Sequence, residues 1–173
     1  MESDVISREK LVFSVGLVGG PTVVIDYGGL RLVTDPTFDP PGPEGAMTKL
    51  EGPALEPRDL GPADAILLSH DQHLDNLDRA GREYAATAAR ILAGPDTAAR
   101  MGANATGLAT WKATELPRPG GGTVWVRALP AVHGPLDGAR DASGNVNCEV
   151  TGFLLTGDGL PSVYVSGDNA SIE

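Results

Sequence analysis

The stretch Ala65-Ile66-Leu67-Leu68-Ser69-His70-Asp71-Gln72-His73-Leu74-Asp75-Asn76-Leu77-Asp78 decides how this chain is read. It opens with a short, unbroken apolar run, the pattern of a buried strand. Two of the chain's three histidines and three aspartates follow at once. Imidazole and carboxylate groups at a strand end offer several lone pairs from a rigid support, which is what a divalent cation requires. A metal-dependent enzyme is the first expectation.

Upstream, Leu11 to Val18, Thr22 to Asp26 and Leu30 to Thr34 read as three short strands, broken at Gly19-Gly20-Pro21 and Tyr27-Gly28-Gly29. Such breaks predict an antiparallel meander. From Asp35 to Pro62 no period persists and prolines recur, so a long loop is expected, either bordering a substrate site or forming a mobile surface insertion. Downstream, Asp78 is placed to cap a helix reaching about Ala89, and Arg90 to Ala93 reads as a strand. Pro95 and Gly102 bracket a second helix. Thr123 to Leu129, Glu149 to Thr156 and Ser162 to Ser166 read as further strands, with polar residues Asp137 to Asn147 between the first two.

The chain has 173 residues, a length suited to a single domain spanning 1–173. Its 23 glycines and 14 prolines indicate many turns between short strands. A net charge of -10 and scattered basic residues argue against a nucleic-acid partner. One cysteine, Cys148, excludes an internal disulfide and a cysteine-rich zinc module. No apolar run approaches the ~18 residues of a membrane span, and Met1-Glu2-Ser3-Asp4 lacks the character of a signal peptide. A cytoplasmic protein acting on a small molecule, with no membrane partner, is expected; an oligomer stays open. The chain ends at Asn169-Ala170-Ser171-Ile172-Glu173, just after a strand, where a helical turn would begin. A helix nucleus without its helix is costly. The expectation is a fragment or shortened version of a larger domain, lacking its C-terminal part.

Three segments place candidate ligands at strand ends: His70 to Asp75, His133 in Leu129-Pro130-Ala131-Val132-His133-Gly134-Pro135, and Asp168 in Val165-Ser166-Gly167-Asp168. In this order the motifs resemble the metallo-β-lactamase superfamily of metal-dependent hydrolases. Its members carry an opening meander, a His-x-His-x-Asp-His motif after a strand, a later lone histidine, a metal-bridging aspartate and a final histidine. Thr34-Asp35-Pro36 resembles the branch of sugar-phosphate lactonases and N-acyl-ethanolamine-releasing phospholipase D enzymes.

The resemblance implies an α+β fold, a four-layer αββα sandwich incomplete at its C-terminus. It further implies metal ligands His70, His73, Asp75, His133 and Asp168, with Asp75 also catalytic. His73 and Asp75 match the motif, Asn76 stands where its last histidine would be, and its first histidine falls on Asp71. His70 lies one residue early; it is favoured over Asp71 as the first ligand because an extra residue can re-aim a strand-end side chain. Zinc is the expected ion, with manganese or iron as alternatives, and one or two ions. The implied chemistry is attack of a metal-activated water, oriented by Asp75, on a small ester, lactone, amide or phosphoester. The competing reading is a non-catalytic scaffold, since Asn76 and the missing final histidine depart from the motif. Trp111, Trp125 and Cys148 are read as packing groups.

Overall fold

Alternation and turn chemistry at the N-terminus produce the antiparallel meander. β1 (Phe13–Gly19), β2 (Thr22–Tyr27) and β3 (Leu30–Thr34) pair in sequence order. Gly28 and Gly29 turn β2 into β3 with φ of 64° and 85°, the left-handed values that a tight hairpin matching strand twist demands. The computed structural model describes residues 10–44, 47–133 and 149–170. The proline-rich segment after β3 is less irregular than its sequence predicts. It contains a small hairpin, β4 (Gly42–Glu44) with β5 (Met47–Lys49), and one helical turn, α1 (Pro57–Leu60). Three-residue strands are too short to leave a periodic signature.

The quoted stretch forms β6 (Ala65–Leu67), which adds parallel to β3. α2 (Arg79–Thr87) then crosses to β7 (Ile91–Ala93), and α3 (Pro95–Met101) crosses to β8 (Ala105–Gly107). Parallel neighbours need such crossovers. The Asp78 carboxylate caps α2 by accepting the Gly81 amide at 2.7 Å. α2 packs tightly on the segment after β3, because the Pro36 carbonyl occupies the space a Gly81 Cβ would take. The result is a six-stranded mixed sheet, ordered β1-β2-β3-β6-β7-β8.

A second sheet, antiparallel in the order β12-β11-β10-β9, comprises β9 (Ala113–Pro117), β10 (Thr123–Pro130), β11 (Thr151–Gly157) and β12 (Val163–Val165). The two sheets face each other across Ile25, Leu32, Leu67, Val126, Phe153 and Leu155, all nearly inaccessible. On its other face the first sheet buries Val24, Val33 and Ile66 against Tyr84 and Ala85 of α2 and Ala98 of α3. Burying a single such side chain contributes roughly 1.5–3 kcal/mol. Helix, sheet and sheet are therefore three layers of an α+β fold. No fourth, helical layer lies among the described residues, and none of their helices is long and apolar enough to cross a membrane.

The outer face of the second sheet corrects one expectation. Trp125 is 47% exposed and Trp111 60% exposed, so neither is buried packing. For Trp125 strand parity is the reason: Val124, Val126 and Ala128 point inward, and Trp125 and Arg127 alternate outward. Cys148 lies outside the described residues. A second apolar surface lies on β1. Phe13 and Val15 pair with Tyr27 and Ile25 of the inter-sheet layer and so share its face. They are nonetheless 44% and 58% exposed, because the second sheet ends at β12.

Candidate metal centre

Strand ends deliver the candidate ligands. β6 leads through Leu68 and Ser69 into His70, β10 ends three residues before His133, and β12 ends three residues before Asp168. His73 Nδ1 lies 3.1 Å from His70 Nε2 and 3.2 Å from His133 Nε2. Asp168 Oδ2 is 4.0 Å from His133 Nε2. One ligand atom from each of the four residues lies within 4.8 Å of all the others.

The spacing suits a metal ion. Nitrogen ligands at about 2.0–2.1 Å in a tetrahedron stand about 3.3 Å apart, close to the separations here. Ser69 Oγ meets His70 Nδ1 at 2.9 Å, which fixes the ring with Nε2 toward the cluster. Burial, reinforced by the neighbouring His73, pulls the His70 pKa down to about 4, so the ring is neutral and its lone pair free at physiological pH. Three converging ring nitrogens cannot all be satisfied by one another, and a cation at their centre satisfies them together.

Asp35 locks the loop that carries His70 and His73. Its carboxylate accepts the Ser69 amide at 2.6 Å and faces the Asn76 side-chain amide at 3.5 Å, holding the loop at both ends. The residue is buried and sits at φ 30°, in the left-handed region. Its backbone is held there by Leu67 O on one side and the Thr22 hydroxyl on the other. Burial pushes its carboxyl up to about 7 despite the Ser69 and Asn76 donors, and Asp168 adds to the rise. The sequence marked Asp35 through the Thr34-Asp35-Pro36 step but not as the residue that holds the ligand loop; its signal was the strand-end position it shares with the ligands.

The other motif residues separate from the cluster. Asp71 is bound by Arg100 at 2.6 Å, with Arg82 at 3.7 Å. Against its partial desolvation, hydrogen bonds and charge from Arg100 hold its carboxyl below the usual range. Asp75 is outside the four-residue group and lines a cavity that none of the four lines. Asn76 is buried and faces Asp35. The structure thus brings together His70, His73, His133 and Asp168, without Asp75 or Asp71.

Asp168 reaches the cluster because its neighbour has no side chain. A Cβ on Gly167 would stand 2.5 Å from Ser69 Cβ, and φ is 57° there. Gly167→Ala is expected to push β12's end away from Ser69 and weaken metal affinity by about tenfold or more, the scale of a disturbed supporting contact. Zinc titration against a competing chelator measures it.

In metal-free protein, Asp35 and His70 tie stability to pH in opposite senses. Asp35 has a folded pKa raised from 3.8 to about 7, so its contribution is full below pH 4 and lost as pH rises through 7. His70 has a folded pKa lowered from 6.5 to about 4, so its contribution is present above 6.5 and lost as pH falls through 4. Relative to the parent chain, Asp35→Asn is expected to make stability climb more steeply between pH 4 and 7. His70→Gln should do the reverse. Urea midpoints of chelator-treated protein across that range read both.

No family model matches the chain, and no curated protein matches it in sequence. Solved structures do match in fold. A possible metal-dependent hydrolase from Veillonella parvula superposes with a TM-score of 0.67 at 17% identity, over 91% of this chain and 63% of its own. The isothiocyanate hydrolase from Delia radicum gut bacteria gives 0.65 at 20% identity, over 91% and 64%. CmlA, a diiron β-hydroxylase from Streptomyces venezuelae, gives 0.61 at 18% identity, over 93% and 30%. This chain therefore shares the fold of these solved structures. It spans somewhat less than two thirds of the length of the two hydrolases.

Proposed function

We propose that this chain belongs to a metal-dependent hydrolase of the metallo-β-lactamase type, acting on a small ester, lactone, amide or phosphoester. The observation that carries the reading is the convergence of three histidine nitrogens at 3.1 and 3.2 Å, with Asp168 beside them. Thr34-Asp35-Pro36 favours the lactonase and phospholipase D branch. A bound divalent ion supplies Lewis acidity toward a carbonyl or phosphoryl oxygen and acidifies water.

The chain's own residues do the rest. His70, His73 and His133 offer imidazole nitrogens to the ion, and Asp168 offsets part of its charge. Three imidazoles with one carboxylate fit zinc, and manganese or iron remain within reach of such a set. Asp75, two residues beyond His73 on the ligand loop, orients the attacking water and receives its proton at the carboxylate. Asp35 positions the ligand loop. The described donors form one group, so one ion is proposed rather than two.

Asn76 favours a second reading, a metal-holding scaffold without turnover, because it faces Asp35 where the motif has a histidine. Protein purified without chelator decides between them by metal analysis and an ester, lactone and phosphodiester screen. Bound metal with turnover that EDTA abolishes supports the hydrolase. Bound metal without turnover supports the scaffold, and no metal overturns both.

A further inference from the structure

Asp75, two residues beyond His73, lines a cavity of about 520 Å³ together with the β1–β2 turn and the β4–β5 hairpin. That volume is within the range of small-molecule sites. Resting on the hydrolase reading, we propose that it holds the non-reacting part of the substrate, and that this part is apolar and carries no negative charge.

Its walls and its charges point the same way. Leu17, Val18, Pro21, Pro53 and Ala54 offer an apolar surface; Leu17 is 68% exposed although it is a large aliphatic side chain. Three carboxylates, Glu44, Glu51 and Asp75, share the lining with a single cation, Lys49. Lys49 is already engaged, 3.1 Å from the buried Asp78 carboxylate, which itself caps α2. Among the described residues Glu44, Glu51 and Asp75 form no ion pair of their own within bonding distance. A phosphate or carboxylate entering here meets net negative charge in a partly desolvated space, where like charges repel most. An alkyl or aryl group meets complementary walls. The broad class of substrates thereby narrows to uncharged esters, lactones or amides.

Two measurements test this separately from catalysis. In the first, butyramide and succinamate, equal in chain length and differing in charge, are titrated into the metal-free chain while backbone amide resonances are followed. Shifts at Leu17 to Gly20 and Gly52 to Ala54 are expected with butyramide, and succinamate should bind at least tenfold more weakly. The double variant Glu44→Gln/Glu51→Gln should narrow that gap to about twofold and leave metal content unchanged. In the second, 4-nitrophenyl butyrate and the 4-nitrophenyl half-ester of succinate are compared in kcat/KM with the zinc-loaded chain, and the neutral ester is expected to lead by tenfold or more. Equal or tighter binding of succinamate, shifts away from the cavity, or a gap unmoved in the variant would overturn the proposal. Selective butyramide binding without turnover of either ester would count against the hydrolase reading alone.

Discussion

His73→Ala is expected to cost this chain its metal ion. His73 Nδ1 is the shared vertex of the cluster, 3.1 Å from His70 Nε2 and 3.2 Å from His133 Nε2. Removing it deletes one ligand and separates the other two histidines from their common neighbour. Loss of a mere supporting contact to a ligand typically weakens affinity 10–100-fold, so loss of the ligand should exceed about a hundredfold. Equilibrium dialysis with zinc gives the affinity. Far-ultraviolet circular dichroism should stay unchanged, because His73 is only half-buried and lies on a loop outside both apolar layers.

Asp26→Ala is expected to act on the fold instead. Asp26 and Arg31 face each other across β2 and β3, and both are almost wholly inaccessible. The carboxylate accepts the Arg31 guanidinium at 2.9 and 3.1 Å and the Leu11 amide at 3.0 Å. Arg31 also donates to the Leu60 carbonyl at 2.8 Å, which fastens α1 to the sheet. Removing the carboxylate deletes an ion pair and two charge-assisted hydrogen bonds from a buried guanidinium, a loss of about 3–5 kcal/mol. That is a large fraction of the 5–15 kcal/mol typical of a domain. The double variant Asp26→Leu/Arg31→Met should recover much of the loss, since buried ion pairs are often replaceable by apolar groups of similar volume. Urea unfolding of both variants reads the contrast.

Elements with a strong local signal were legible in the sequence. The first three strands were marked by glycine turns, α2 by Asp78, and α3 by Pro95 and Gly102, each a residue whose chemistry permits few alternatives. β8 and β9 were not legible. Ala105–Gly107 and Ala113–Pro117 have little β-branched or aromatic character and become strands by pairing with β7 and β10. The hairpin β4–β5 was hidden by its prolines and its brevity. Trp125 was misread through its size, although parity with Val124 and Val126 already pointed it outward.

The candidate site divides in the same manner. Histidines and aspartates following apolar runs stood out, and His70, His73, His133 and Asp168 are the four that the structure gathers. What the sequence did not reveal is the distribution of roles among the remaining carboxylates. Asp71 is spoken for by Arg100, which is distant in sequence. Asp35 holds the ligand loop through a backbone amide, a partner that no side-chain motif encodes. Asp75 departs from the cluster because the turn from Asn76 to Asp78 is anchored elsewhere, by Asp35 and by the cap of α2.

X-ray absorption at the zinc edge of the loaded chain decides whether these four residues hold one ion. The expected result is a single zinc per chain with three imidazole nitrogens and one carboxylate oxygen at about 2.0–2.2 Å and no second metal nearby. Fewer than three imidazoles, a metal–metal contact, or a chain that takes up no zinc would contradict it.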